Sequence, residues 1–145
     1  MDKYLGLDLG EKTIGIAISD DLCLTAQSLL TLARKGFDED ISSLSQIILE
    51  KGVTAIVVGL PKNMDGSLGP AAQEVLRLAS LFETAFKLPV YTFDERLSTV
   101  AAEKILLEAD LSRKKRRKVI DRLAAAYILQ GFLDQRSYQR KREIN

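Results

Sequence analysis

The chain opens on a regular alternation of apolar and polar positions. In Tyr4–Leu9, Leu5, Leu7 and Leu9 fall on one face of an extended segment, with Tyr4, Gly6 and Asp8 on the other, because strand side chains alternate with period two. Thr13–Ser19 sets Ile14, Ile16 and Ile18 against the small Gly15, Ala17 and Ser19. The short link Gly10-Glu11-Lys12 predicts a hairpin between the two runs. A third strand is predicted over Thr25–Leu32. Asp38-Glu39-Asp40 then places acids at the start of a helix, whose apolar stripe is Phe37, Ile41, Leu44, Ile47 and Ile48 and whose end is Lys51-Gly52.

Thr54–Leu60 is apolar on both faces, the pattern of a buried parallel strand. The polar Pro61–Pro70 stretch, PKNMDGSLGP, reads as a mobile loop that could close over a ligand. A helix is predicted over Ala71–Phe86, then a strand at Val90–Phe93 ending in Asp94-Glu95-Arg96. Another helix is predicted to start near Ser98 or Thr99, and a last one to run from near Ser112 to Leu133. Hairpin links followed by helical crossovers predict one α/β domain. Its sheet is mixed and five-stranded, three antiparallel strands then two parallel, with helices on both faces. The domain is expected to span residues 1–135, with 136–145 a basic tail that frays.

Composition removes several kinds of chemistry. A chain of 145 residues suits one core. No apolar run approaches the roughly 20 residues that span a bilayer. No basic-then-apolar leader opens the chain, so a cytoplasmic location without a membrane partner is expected. There is no histidine and a single cysteine, Cys23. That excludes Ser-His-Asp and Cys-His catalysis, zinc sites built on His or several Cys, and an internal disulfide.

Charge is unevenly spread. Residues 1–110 hold 10 Lys and Arg against 17 Asp and Glu, whereas residues 111–145 hold 11 against 3. This split pairs an acidic region able to hold metal with a basic one suited to an anionic partner.

Three acidic points fall where the pattern predicts burial: Asp8 inside the first strand, Asp94-Glu95 at the end of the last, and Asp121 in KVIDRLAAAYILQGF. On a helix, Asp121 shares a face with Ala124, Ala125, Ile128 and Phe132. Salt bridges to Arg96, Lys12 or Arg122 would account for any one of these acids. Gathered at one place, all three would suit Mg²⁺ or Mn²⁺, hard cations that take carboxylate oxygens. The glycines beside Asp8, Gly6 and Gly10, would then leave room for metal and phosphate.

GLDLGEKTIGIAISD, VVGLPKNMDGS, DERLST, SRKKRRKVID and AAAYILQGFL, in this order over nearly the whole chain, resemble the YqgF/RuvX family. These are pre-16S rRNA nucleases of RNase H-like fold, also described as Holliday junction resolvases. The family usually has Thr where this chain has Ser98. The resemblance implies an RNase H-like sheet and hydrolysis of nucleic-acid phosphodiesters. It implies Asp8, Glu95 and Asp121 as catalytic acids and metal ligands, with Asp94 an adjacent candidate ligand. Glu95 is preferred to Asp94 because its longer arm reaches from the turn. Lys12, Lys62, Asn63 and Arg96 are candidate nucleic-acid contacts, with Arg113, Lys114, Arg116 and Arg117 of the run of six cations at 113–118. The expected partner is precursor rRNA, with branched DNA as the competing substrate, and the chain would act as a monomer or homodimer. Two other readings are a non-catalytic RNA-binding assembly factor and an actin-like ATPase, whose fold needs a second related domain.

Overall fold

The structure is a computed structural model describing residues 2–97 and 113–144, with backbone alone described at 113–122 and 144. The strands are β1 (Tyr4–Leu9), β2 (Thr13–Ser19), β3 (Ala26–Ala33), β4 (Ala55–Leu60) and β5 (Val90–Asp94). The helices are α1 (Phe37–Lys51), α2 (Pro70–Phe86) and α3 (Arg113–Ile144), and a 3₁₀ turn, Glu95–Leu97, follows β5. The helix predicted to start near Ser98 lies outside the described residues.

One five-stranded sheet has the order β3-β2-β1-β4-β5. β1 pairs antiparallel with β2, and β2 with β3. β1 pairs parallel with β4, and β4 with β5. This is the mixed sheet that the hairpin-then-crossover pattern predicts. β4 is buried along its whole length, as its two apolar faces require.

Alternation divides the core in two. Leu5, Leu7, Ile14, Ile16, Ile56, Val58 and Leu60 pack against α1 and α2 through Leu44, Val75, Leu78 and Phe82. Tyr4, Ala17, Ala55, Val57 and Phe93 face α3, which covers them with Ala124, Ala125, Ile128, Leu129, Phe132 and Leu133. Helix α3 runs antiparallel to β1. The Tyr4 ring meets Phe132 at 5.5 Å between centroids. Two residues further along β1, a Cβ on Gly6 would lie 2.8 Å from Leu129 Cβ and 3.2 Å from the Ala125 carbonyl oxygen. Gly6 therefore makes room for α3 and not for a metal, which corrects the expectation from the sequence.

Helix α3 also continues to Ile144, where the sequence suggested a frayed tail. Its far end is rooted by Arg136, whose guanidinium lies 5.8, 5.1 and 5.4 Å from the ring centroids of Tyr4, Tyr91 and Phe132. Among the described residues, no helix is long and apolar enough to cross a membrane.

Candidate active site

Asp8 lies near the C-terminal end of β1, half-buried, on the α3 face that it shares with Tyr4 and Gly6. In β2 its partner is Gly15. In β4, Leu7 pairs with Val58, so the next position along is Gly59. Neither neighbouring strand sends a side chain across Asp8. The clearance around this carboxylate comes from glycines on the flanking strands. Gly10, the other glycine expected to make room for metal, serves the hairpin: its N–H donates to the Thr13 carbonyl at 2.9 Å, and a Cβ there would lie 3.0 Å from that oxygen.

Strand β5 brings in the second acid. Gly59 pairs with Phe93 and Leu60 with Asp94. Phe93 belongs to the α3 face and Leu60 to the α1–α2 face, so Asp94 sits on the side of the sheet away from Asp8. The chain then turns into the 3₁₀ segment and Glu95 folds back over β4. A Cβ on Gly59 would stand 2.6 Å from Glu95 Oε1 and 2.5 Å from Ile128 Cδ1. Gly59 is thus a cradle for the Glu95 carboxylate, next in register to Asp8.

Asp94 has a different task. Arg96 Nη2 donates to its Oδ2 at 2.7 Å, and Arg96 Nε and the Arg96 backbone N–H each donate to its Oδ1 at 3.0 Å. This guanidinium holds the Asp94 carboxyl below the usual aspartate range, against the opposing pull of partial burial, and the Lys62 charge acts in the same direction as Arg96. Both Asp94 oxygens are thus engaged by Arg96.

The third acid, Asp121, belongs to α3, but its side chain lies outside the described residues. Its place along the helix is defined. Gly6 abuts Ala125 and Leu129, and the backbone of residue 121 comes one helical turn earlier. Since α3 runs antiparallel to β1, that turn leads towards Asp8. Among the described residues, no three His, Cys, Asp or Glu side chains form a group that could hold a metal. Asp8 and Glu95 nonetheless offer the oxygen donors that a hard divalent cation takes, and the Gly59 cradle that a Cβ would fill leaves them space. These residues fit such a cation.

Of the basic candidates, Lys12 is exposed in the β1–β2 link and Lys62 is half-buried just after β4. The side chains of Arg113, Lys114, Arg116 and Arg117 lie outside the described residues. Arg96, besides binding Asp94, donates from Nη1 to the Met64 carbonyl at 3.2 Å. It thereby ties the segment between β4 and α2 to the end of β5. That segment is also braced internally. The Gly66 N–H reaches the Asn63 carbonyl at 2.8 Å, and Asn63 Nδ2 donates to Ser67 Oγ at 2.9 Å. The Ser67 hydroxyl donates to Asp65 Oδ1 at 2.6 Å. The stretch expected to be a mobile loop is a bonded turn, and the Asn63 amide is engaged within it. Gly59 was the site residue missed by sequence reasoning. Its signal is a lone glycine in an otherwise large-residue strand.

Residues 2–135 match the sequence profile described as RuvX, Holliday junction resolvase. The chain is similar to proteins named "Putative pre-16S rRNA nuclease" from Clostridium kluyveri and Clostridioides difficile. Identity is 54% with the first and 55% with the second, each over 132 residues, which cover 91% of this chain and 96% and 94% of those proteins. Among solved structures, RuvC from Thermus thermophilus in complex with Holliday junction substrate superposes with a TM-score of 0.55 at 15% identity. The match covers 94% of this chain and 96% of that one. At that identity the likeness speaks for the RNase H-like fold alone.

Proposed function

The chain belongs to the RuvX family of Holliday junction resolvases, and on that premise we propose a divalent-metal-dependent endonuclease that processes the 5′ end of precursor 16S rRNA. The enzyme class follows from the family and from relatives named as nucleases. The observation that carries the reading is that Glu95 lies over Gly59, the β4 position next in register to Asp8, on the face covered by α3.

Asp8, Glu95 and Asp121 would hold Mg²⁺ or Mn²⁺. Bound there, the cation supplies Lewis-acid stabilisation of the charge that builds on the phosphate oxygens. Asp8 sits on the central strand, paired on both sides, which would hold its carboxylate in place. Glu95 is placed over the bare backbone of Gly59. Lys12 and Lys62 lie at the same end of the sheet, at the ends of β1 and β4, where they would bind phosphates and draw a polyanion to the site. The run of cations opening α3 stands three to eight residues before Asp121 and would guide the backbone there.

The resolvase description that comes with the family supports a second substrate, a four-way DNA junction. A resolvase acts as a symmetric dimer with one site per cut strand. Incubating the protein and Mn²⁺ with a precursor 16S rRNA leader and, separately, a four-way junction tests both. Site-specific RNA cleavage alone supports the proposal, whereas paired symmetric nicks in the junction alone would replace it with the resolvase reading.

A further inference from the structure

The last turns of α3 lie beyond residues 2–135, the part matched by the family profile, yet they continue the helix without a break. Residues 136–145 carry Arg136, Arg140, Lys141 and Arg142 against one carboxylate, Glu143. Arg136 is used structurally, stacked on Tyr4, Tyr91 and Phe132. Nearly two turns earlier, Gln130 accepts from the Ala26 N–H at 2.9 Å and donates to the Leu24 carbonyl at 2.9 Å. The base of this segment is therefore anchored to β1, β3, β5 and the β2–β3 link. Beyond Ser137 the helix is exposed and forms a projection.

Arg140, Lys141 and Arg142 are exposed, and among the described residues none of them pairs with a carboxylate. Tyr138, 62% exposed, lies beneath the Arg142 guanidinium at 5.9 Å. These cations point to different sides of the helix, and no apolar stripe accompanies them. That argues against a membrane surface, which needs an apolar face to insert. A strand of phosphates that curves around the projection satisfies the pattern. At 1.5 Å per residue, Arg140 stands about 28 Å along α3 from Asp121.

We infer that the C-terminal projection of α3 is a second nucleic-acid contact. It engages backbone phosphates about 28 Å from the acidic centre and adds affinity without touching the scissile bond. The inference rests on the nucleic-acid-cleaving reading above and deepens it. It requires substrate to extend well past the cut, some eight nucleotide steps at about 3.4 Å each.

The test is binding, kept apart from cleavage by working in an Asp8→Asn background. A 20-nucleotide single-stranded RNA is titrated at several salt concentrations with the full chain and with its Arg140→Gln/Lys141→Gln/Arg142→Gln variant. Each single-strand phosphate contact contributes about −0.7 to the slope of log affinity against log salt, so the variant's slope should be shallower by about 2. An Arg140→Lys/Arg142→Lys variant, which keeps the charge, should retain the parent slope. An unchanged slope in the Gln variant overturns the inference. So does a loss confined to binding of anionic phospholipid vesicles, which would make the projection a membrane contact. Failure of the unsubstituted enzyme to cleave any nucleic acid, with the slope change present, would sink the catalytic proposal and leave this one standing.

Discussion

The carboxylate of Glu95 lies across the backbone of Gly59, so close that a single methyl group at that glycine would come within 2.6 Å of Oε1. A hydrogen in place of a side chain thus sets where the second acid stands. Of the three atoms that this methyl would meet, the two nearest, Ile128 Cδ1 and Glu95 Oε1, are ends of flexible side chains, and the third, Glu95 Cγ, lies at 3.1 Å. Gly59→Ala should therefore cost little stability and much activity. A displacement of about 1 Å is enough to lower the rate roughly 10²-fold. Thermal unfolding and single-turnover cleavage, measured on one preparation, check both halves.

Gly6→Ala should do the reverse. Its methyl would meet Leu129 Cβ at 2.8 Å and the Ala125 carbonyl oxygen at 3.2 Å, atoms at or next to the α3 backbone. Overpacking at such a point costs about 1–3 kcal/mol. Urea unfolding should show that loss, while the folded fraction keeps its metal requirement.

Glu95→Gln and Asp94→Asn should separate the two adjacent acids. Loss of an acid that positions the reacting groups lowers the rate by about 10²-fold or more. That fall is expected for Glu95→Gln, whereas Asp94→Asn should keep most of the activity because Asp94 faces the other side of the sheet, on Arg96. Steady-state cleavage at saturating Mn²⁺ distinguishes them. Equal losses would show that Asp94 also serves the metal.

The Asp94–Arg96 pair sets a pH signature. Arg96 lowers the Asp94 pKa below its ordinary value of 3.8. A carboxylate with a depressed folded-state pKa stabilises the fold above its unfolded value and loses that contribution as pH falls through the folded one. Arg96→Met should thus be less stable than the parent at neutral pH, and the gap should close as pH drops below about 3.8. Melting temperatures of both proteins across that range provide the check.

Much of this arrangement was legible in the chain. Tyr4–Leu9 and Thr13–Ser19 announce their limits through clean alternation, and Asp8 stands out because it interrupts an apolar strand. Less legible was anything set by which face of the sheet a helix covers. Gly6 and Asp8 share a face, so both fit a metal site until α3 is placed and presses on Gly6. Alternation puts Phe93 and Glu95 together and Asp94 apart, but only the pairing of Phe93 with Gly59 says which of those faces holds Asp8. The reach of α3 past Leu133 was hidden because dense charge resembles a tail, and the Arg136 stack that secures it joins residues distant in sequence.

Whether Asp8 is a catalytic metal ligand is decided by cleavage of a precursor 16S rRNA leader by the parent protein and by Asp8→Asn, with Mn²⁺ or with excess chelator. Specific cleavage by the parent is expected only with metal, with a fall of at least about 10²-fold in Asp8→Asn. The melting temperature of Asp8→Asn without metal should be unchanged or higher, since a clustered carboxylate has been removed. Undiminished cleavage by Asp8→Asn, or a large drop in its melting temperature without metal, would contradict that role.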